Sequence, residues 1–129
     1  MLSEGLVRAQ FAPWETSNPL PFFDILADNV YWIVSGKLNP LSGAYNSKNE
    51  VLDVFGRLTA RFAGPPTSKI TNVLTSGDYA VVEMTLHAVS KGGNDFDEQL
   101  CWVCRYEGEK CVSVMLYVDS AAEKQLFEE

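Results

Sequence analysis

A chain of 129 residues, 47% hydrophobic and 21% charged, has the size and composition of one globular domain, able to build a core without disulfide or metal staples. Its net charge of −7, with basic residues scattered from Arg8 to Lys124, argues against nucleic acid or an anionic membrane as partner, since both select clustered Lys and Arg. An odd count of 3 cysteines argues against a disulfide framework, and no apolar run approaches the ~20 residues that span a bilayer.

In chain order, Ser3 is placed to cap a first helix over Glu4 to Gln10, and Pro13, Asn18, Pro19 and Pro21 then impose a loop. Glu4 and Gly5 stand where a signal peptide needs a basic start and an apolar run, so the expected compartment is the cytoplasm. Phe22, Phe23, Ile25 and Leu26 predict a short amphipathic helix from Phe22 to Ala27, ending near Asp28-Asn29. Val30 to Val34 is β-branched and aromatic and predicts a strand; Gly36 to Asn46 is dense in Gly, Pro, Ser and Asn and predicts a loop. Ser47 with Glu50 three residues on forms a capping box. Val51, Leu52, Phe55, Leu58, Thr59 and Phe62 then recur at the helical period until Gly64-Pro65-Pro66. Strands follow over Lys69 to Thr75, Tyr79 to Ser90, Phe96 to Tyr106 and Cys111 to Asp119, separated by turns rich in Gly, Asp and Asn, and a helix over Ala121 to Phe127 closes the chain. No repeat or linker divides residues 1–129, which predict a single domain. Helices followed by a four-stranded antiparallel meander specify an α+β fold. A curved meander with helices across one face makes a cone whose hollow is a natural ligand site.

Three stretches carry a resemblance. Asp28-Asn29-Val30-Tyr31-Trp32-Ile33-Val34-Ser35-Gly36 is similar to the first strand of SnoaL-like proteins of the NTF2-like superfamily, and so is Pro40-Leu41-Ser42-Gly43-Ala44-Tyr45 before a helix. The segment from Trp102 to Lys110, running into Tyr117-Val118-Asp119-Ser120, resembles their last hairpin. The likeness covers about residues 20 to 127. It implies an NTF2-like cone: a curved, mostly antiparallel sheet with N-terminal and connecting helices packed over it. The superfamily holds isomerases, polyketide cyclases, epoxide hydrolases, transport factors and noncatalytic binding domains, so the function follows from the site. The resemblance implies a cofactor-independent isomerase or cyclase acting by proton transfer on a small apolar, carbonyl-bearing molecule. The alternative is a noncatalytic domain that binds a small molecule or serves for dimerisation.

Asp119 is the first candidate acid/base, because the resemblance places the cyclase aspartate on the last strand, as in limonene epoxide hydrolases. Strand alternation puts Met115, Tyr117 and Asp119 on one face, where a phenol and a thioether would partly desolvate the carboxylate. Asp119 is equally suited to cap the terminal helix. His87, the sole histidine, shares a face with Val81, Glu83 and Thr85; that face projects either into the cavity, with His87 as a proton carrier, or into solvent, and Tyr117 or His87 would assist Asp119 in the enzymatic reading. Trp32, Tyr45, Phe55, Glu83, Trp102 and Met115 are the expected cavity lining. Ketosteroid isomerases place a base aspartate near Ile33 and a protonated aspartic acid near Trp102; neither position holds a carboxyl group here, so that mechanism does not transfer. Cys101-Trp102-Val103-Cys104 lies in a strand, where residues three apart face opposite ways and cannot bridge. No metal-ligand cluster or phosphate-binding loop is present, and no cofactor is expected. The family resemblance further implies a homodimer paired through the outer sheet face, for which Ala80, Val82, Met84, Leu86 and Ala88 are the expected apolar surface.

Overall fold

The computed structural model describes residues 2–129. Helix α1 (Glu4–Phe11) starts where the Ser3 hydroxyl accepts the Leu6 N–H at 3.1 Å. Prolines then restrict the chain to two 3₁₀ segments, Ala12–Thr16 and Leu20–Ile25, in place of an α-helix reaching Ala27. Strand β1 (Leu26–Val34) therefore begins four residues earlier than its β-branched core suggests. The expected loop before Ser47 contains a short strand, β2 (Gly43–Tyr45), which pairs antiparallel with Trp32 to Val34. Helix α2 (Lys48–Thr59) is capped as its sequence predicts: the Ser47 hydroxyl accepts the Glu50 N–H at 3.2 Å, and the Glu50 carboxylate reaches back to the Asn46 N–H at 3.1 Å. The meander follows as β3 (Thr67–Ser76), β4 (Tyr79–Val89), β5 (Asp95–Glu107) and β6 (Lys110–Tyr117), and α3 (Ser120–Phe127) ends the chain.

The six strands form one sheet in the order β2-β1-β6-β5-β4-β3. Only the β1–β6 pair is parallel, because β1 is joined to the meander through α2 rather than through a hairpin. The sheet is curved and unclosed, and its inner face is covered by α1, the 3₁₀ segments, α2 and α3. Inner residues fall in rows across the strands; one row runs Val34, Leu116, Trp102, Val82, Val73. Trp102 sits at the centre, 1% exposed, with its ring 5.2 Å from Trp32, 5.3 Å from Phe11 and 5.4 Å from Trp14 and Phe22. Burying one such side chain is worth roughly 1.5–3 kcal/mol, and edge-to-face aromatic pairs add about 0.5–1.5 kcal/mol each. No helix among the described residues is long and apolar enough to cross a membrane.

The outer sheet face is not the one the sequence suggests. Ala80, Val82, Met84, Leu86 and Ala88 are buried beneath the helices, so they form core rather than a pairing surface. Alternation then turns Glu83, Thr85 and His87 to the outside. On β6 the phase is reset by a β-bulge: Tyr106 pairs with Cys111 but Arg105 with Ser113, leaving Val112 as the extra residue. Cys111 and Val114 consequently both point inward, and Met115 and Tyr117 point outward.

Candidate functional site

Between the inner sheet face, the 3₁₀ segments, α2 and the start of α3 lies a partly open cavity of about 60 Å³. Trp14, Trp32, Trp102, Phe23, Phe55 and Tyr45 make its aromatic walls, and aliphatic side chains of the sheet, the Leu41 loop and α2 complete its apolar surface. It has room for only about four water-sized groups, at ~15 Å³ each. Pockets for drug-sized ligands run to ~300–1,000 Å³, so a ligand here is small or displaces aromatic side chains.

The ionisable carboxyls of this cavity are Glu98 and Glu123, which are 4% and 2% exposed. Glu98 comes from the inner face of β5, in phase with Phe96, Leu100 and Trp102. Glu123 comes from the first turn of α3, one helical turn before buried Leu126. The two carboxyls are buried neighbours, and the charge of one opposes ionisation of the other, so one of them takes a proton more readily. Their surroundings decide which. Glu123 also accepts the Asn39 amide N–H at 2.7 Å, and Asn39 is itself fixed by accepting the Leu41 N–H at 3.1 Å. Glu98 has a long contact from the Asp119 N–H at 3.4 Å, and its other oxygen meets no protein donor. Burial, followed by the neighbouring Glu123 charge, pushes the Glu98 carboxyl up to about 10. Burial also raises Glu123, but the hydrogen bond from Asn39 opposes that rise. Glu98 is therefore the member more strongly held protonated, and Glu123, which has the Asn39 donor, is the one that bears negative charge more readily. No Lys or Arg lines the cavity to neutralise that charge.

Trp32, Tyr45, Phe55 and Trp102 line the cavity, and the Tyr45 hydroxyl donates to the Leu41 carbonyl at 2.7 Å. Glu83 and Met115 do not line it; both lie on the outer face, Met115 because of the bulge after Cys111. Tyr117 is 50% exposed on that same face. Strand β6 ends at Tyr117, so alternation no longer governs Asp119, which caps α3 by accepting the Ala122 N–H at 3.0 Å. His87 is exposed, with Nδ1 2.7 Å from Asp97 Oδ1. His87 and Asp119 do share an open groove with Thr67, Lys69 and Asp97. Leu86, Glu98 and Val118 belong to both that groove and the cavity, so Glu98 stands in the wall between them.

Glu98, Glu123, Asn39 and Trp14 escaped the reading of the sequence. A signal existed for two of them: Glu98 interrupts the apolar stripe Phe96, Leu100, Trp102, and Glu123 lies three residues before Leu126 on a short amphipathic helix. A carboxyl in phase with an apolar face is a candidate buried acid. Cys101 and Cys104 face opposite sides of β5, as their spacing predicts, and all 3 cysteines are free thiols. No group of three or more metal-ligating side chains occurs among the described residues.

The sequence matches a family model, the SnoaL-like domain, over residues 7–114. The chain belongs to the SnoaL-like family. Its fold is NTF2-like: an NTF2-like protein from Burkholderia thailandensis superposes with a TM-score of 0.82 at 20% identity, with 100% of each chain covered. A putative SnoaL-like polyketide cyclase from Jannaschia superposes at 0.75 and 14% identity, covering 92% of this chain and 85% of its own. TerC, co-crystallised with polyporic acid, superposes at 0.79 and 15% identity, with 97% of each chain covered. No curated protein matches the sequence.

Proposed function

We propose that this SnoaL-like chain is a cofactor-independent isomerase- or cyclase-like enzyme for a small, mainly apolar carbonyl compound, with Glu98 as acid and Glu123 as base. The observation that carries this is the buried carboxyl pair at the edge of an aromatic cavity, where burial raises both members and the Asn39 amide favours ionisation of Glu123 over Glu98. Two titratable groups driven apart in this way are the usual mark of an acid/base assignment. In the reaction, the Glu123 carboxylate takes a proton from the carbon next to the carbonyl. The Glu98 O–H donates to the carbonyl oxygen as the C=O becomes a conjugated enol; Glu123 then returns its proton at another carbon of that system while the enol O–H proton goes back to Glu98, which completes an isomerisation and restores both carboxyls. Asn39 holds Glu123 in place, and the apolar walls exclude water. The structural likeness to a putative polyketide cyclase and to a protein crystallised with polyporic acid is consistent with a carbonyl-bearing ligand.

The test is hydrogen exchange. Small cyclic ketones incubated with the protein in D₂O are followed by NMR for deuterium at the α-carbon. Enzyme-dependent exchange that disappears in Glu98→Gln and Glu123→Gln supports proton transfer. A ketone that raises the melting temperature but gains no deuterium indicates the noncatalytic binding domain instead.

Pairing with a second copy is proposed on the outer sheet face. Ile33, Met115, Val103, Val81 and Leu74 form one apolar row across five strands, flanked by the exposed rings of Tyr31, Tyr79 and Tyr117. Contiguous exposed apolar surface of this kind marks interaction sites.

A further inference from the structure

At about 60 Å³ the cavity is less than half the ~150 Å³ of an apolar cavity that binds benzene, so a ring-sized ligand is enclosed only if a wall moves. Most of the walls are locked. The sheet is held by its ladders, α2 by its capping box and the buried Val51 and Leu58, and the aromatic cluster by interlocking rings. Helix α3 is held differently at its two ends. Its start is pinned: the Val118 N–H donates to the Ser35 hydroxyl at 3.1 Å, Asp119 caps the first turn, and a Cβ on Gly36 would collide with the Ser120 hydroxyl. Its second half is flanked by open clefts on both sides, one toward β5 and one toward the end of α2, with Leu126 as its buried anchor. What fastens that end is the Glu129 side chain. Its carboxylate accepts the Ser90 hydroxyl at 2.6 Å, while Arg61 lies over the Phe127 ring at 4.4 Å. The receiving turn is already formed: Ser90 is buried, its N–H donates to the Asn94 carbonyl at 2.8 Å, and its hydroxyl accepts the Asn94 N–H at 3.1 Å. Gly92 leaves the room, since a Cβ there would stand 2.5 Å from the Glu129 carboxylate oxygen.

We infer that α3 is the gate of the cavity, pivoting at its pinned start, and that Glu129 seated on the Ser90–Asn94 turn is its latch. A helix rises about 1.5 Å per residue, which puts Glu123 about 5 Å and Glu129 about 14 Å from the pivot. A tilt that shifts Glu123 by about 2 Å therefore carries the Glu129 end roughly three times as far, out of reach of Ser90. Opening cannot occur with the latch shut. Val118 and Glu123 both line the cavity, so the tilt draws back one side of it. Glu123 leaves the Asn39 amide as the helix tilts and meets it again on closure, which makes ligand entry and assembly of the carboxyl site one movement. A short helix with one buried apolar anchor is the kind of element that opens locally while the rest of the fold stays intact. The gate serves a binding domain as well as an enzyme, so it does not depend on the acid/base proposal.

Two variants unlatch the helix without touching the cavity. Glu129→Ala removes the carboxylate, and Gly92→Ala pushes it away from Ser90 while leaving both partners in the chain. Amide hydrogen exchange should run at least about tenfold faster over α3 in each variant and stay unchanged over α2. Uptake of cyclohexanone and of benzene is then timed in a stopped-flow mixer by the change in tryptophan fluorescence. Association and dissociation should both accelerate about tenfold while Kd changes by less than about threefold, because a latch acts on passage in both directions. A contact that only supports the fold does not give this pairing of faster rates with a constant Kd. Faster α3 exchange with unchanged uptake rates would place the entry elsewhere and overturn the gate. Unaltered α3 exchange in both variants would overturn the latch, and uptake of neither probe by any of the three proteins would overturn both. The acid/base proposal fails separately, since uptake rates report on the gate and α-deuteration of the ketone reports on the chemistry.

Discussion

Replacing Glu98 with glutamine separates the buried acid from everything else that titrates. The unfolded chain releases the Glu98 proton near the ordinary value of 4.5, but the folded protein keeps it until about 10. Between those values the folded state binds more protons than the unfolded one, so stability falls as pH rises; the contribution is full below about 4.5 and lost through the window up to about 10. One proton of difference gives about 1.4 kcal/mol per pH unit. From about pH 5.5 to about pH 8.5 the wild type should therefore lose at most about 4 kcal/mol through this group, and about 2 kcal/mol if α3 relaxes and admits water. The glutamine side chain of Glu98→Gln does not ionise, and its amide still accepts the Asp119 N–H and donates to Glu123. Glu98→Gln should thus nearly match the wild type at about pH 5.5 and exceed it by about 2–4 kcal/mol at about pH 8.5. Urea unfolding followed by tryptophan fluorescence, repeated across pH, measures the difference directly. A gap that stays constant with pH refutes the claim that Glu98 is held protonated. A stability gain from losing Glu98 would also fit a residue retained for chemistry rather than for folding.

Other substitutions test the remaining assignments. Asp119→Ala should cost about 1 kcal/mol through loss of the α3 cap, whereas Asp119→Asn keeps the cap and should stay near wild type in thermal unfolding. Ketone exchange should survive in Asp119→Asn; a hundredfold loss in that well-folded variant would return Asp119 to the reacting site. Val103→Glu, at the middle of the outer apolar row, should convert a dimer to monomers in sedimentation at micromolar concentration with little change in monomer fold; a wild-type monomer would end the pairing proposal.

Much of the architecture is local information. The Ser47–Glu50 capping box, the helical period from Val51 to Leu58, the Gly-rich turns and the alternating strands each act over a few residues, and the order of elements follows from them. That order, with the resemblance of its first strand and last hairpin, is enough to specify an NTF2-like α+β cone and to place Trp32, Tyr45, Phe55 and Trp102 on its hollow side. The phase of the last strand is not local. It depends on how β6 registers against β5, and one extra residue at Val112 turns Met115 and Tyr117 from the cavity to the outside. The faces of β4 are likewise decided by the helices that cover one of them: the same alternation serves either orientation, and only packing sends Leu86 inward and His87 outward. The site itself is the least legible part. Glu98, Glu123 and Asn39 are far apart in sequence and acquire their chemistry only when β5, α3 and the Asn39 loop bring them together away from water. Burial raises the pKa of both acidic side chains and the Asn39 amide distinguishes them, and those are properties of the tertiary structure rather than of the residues.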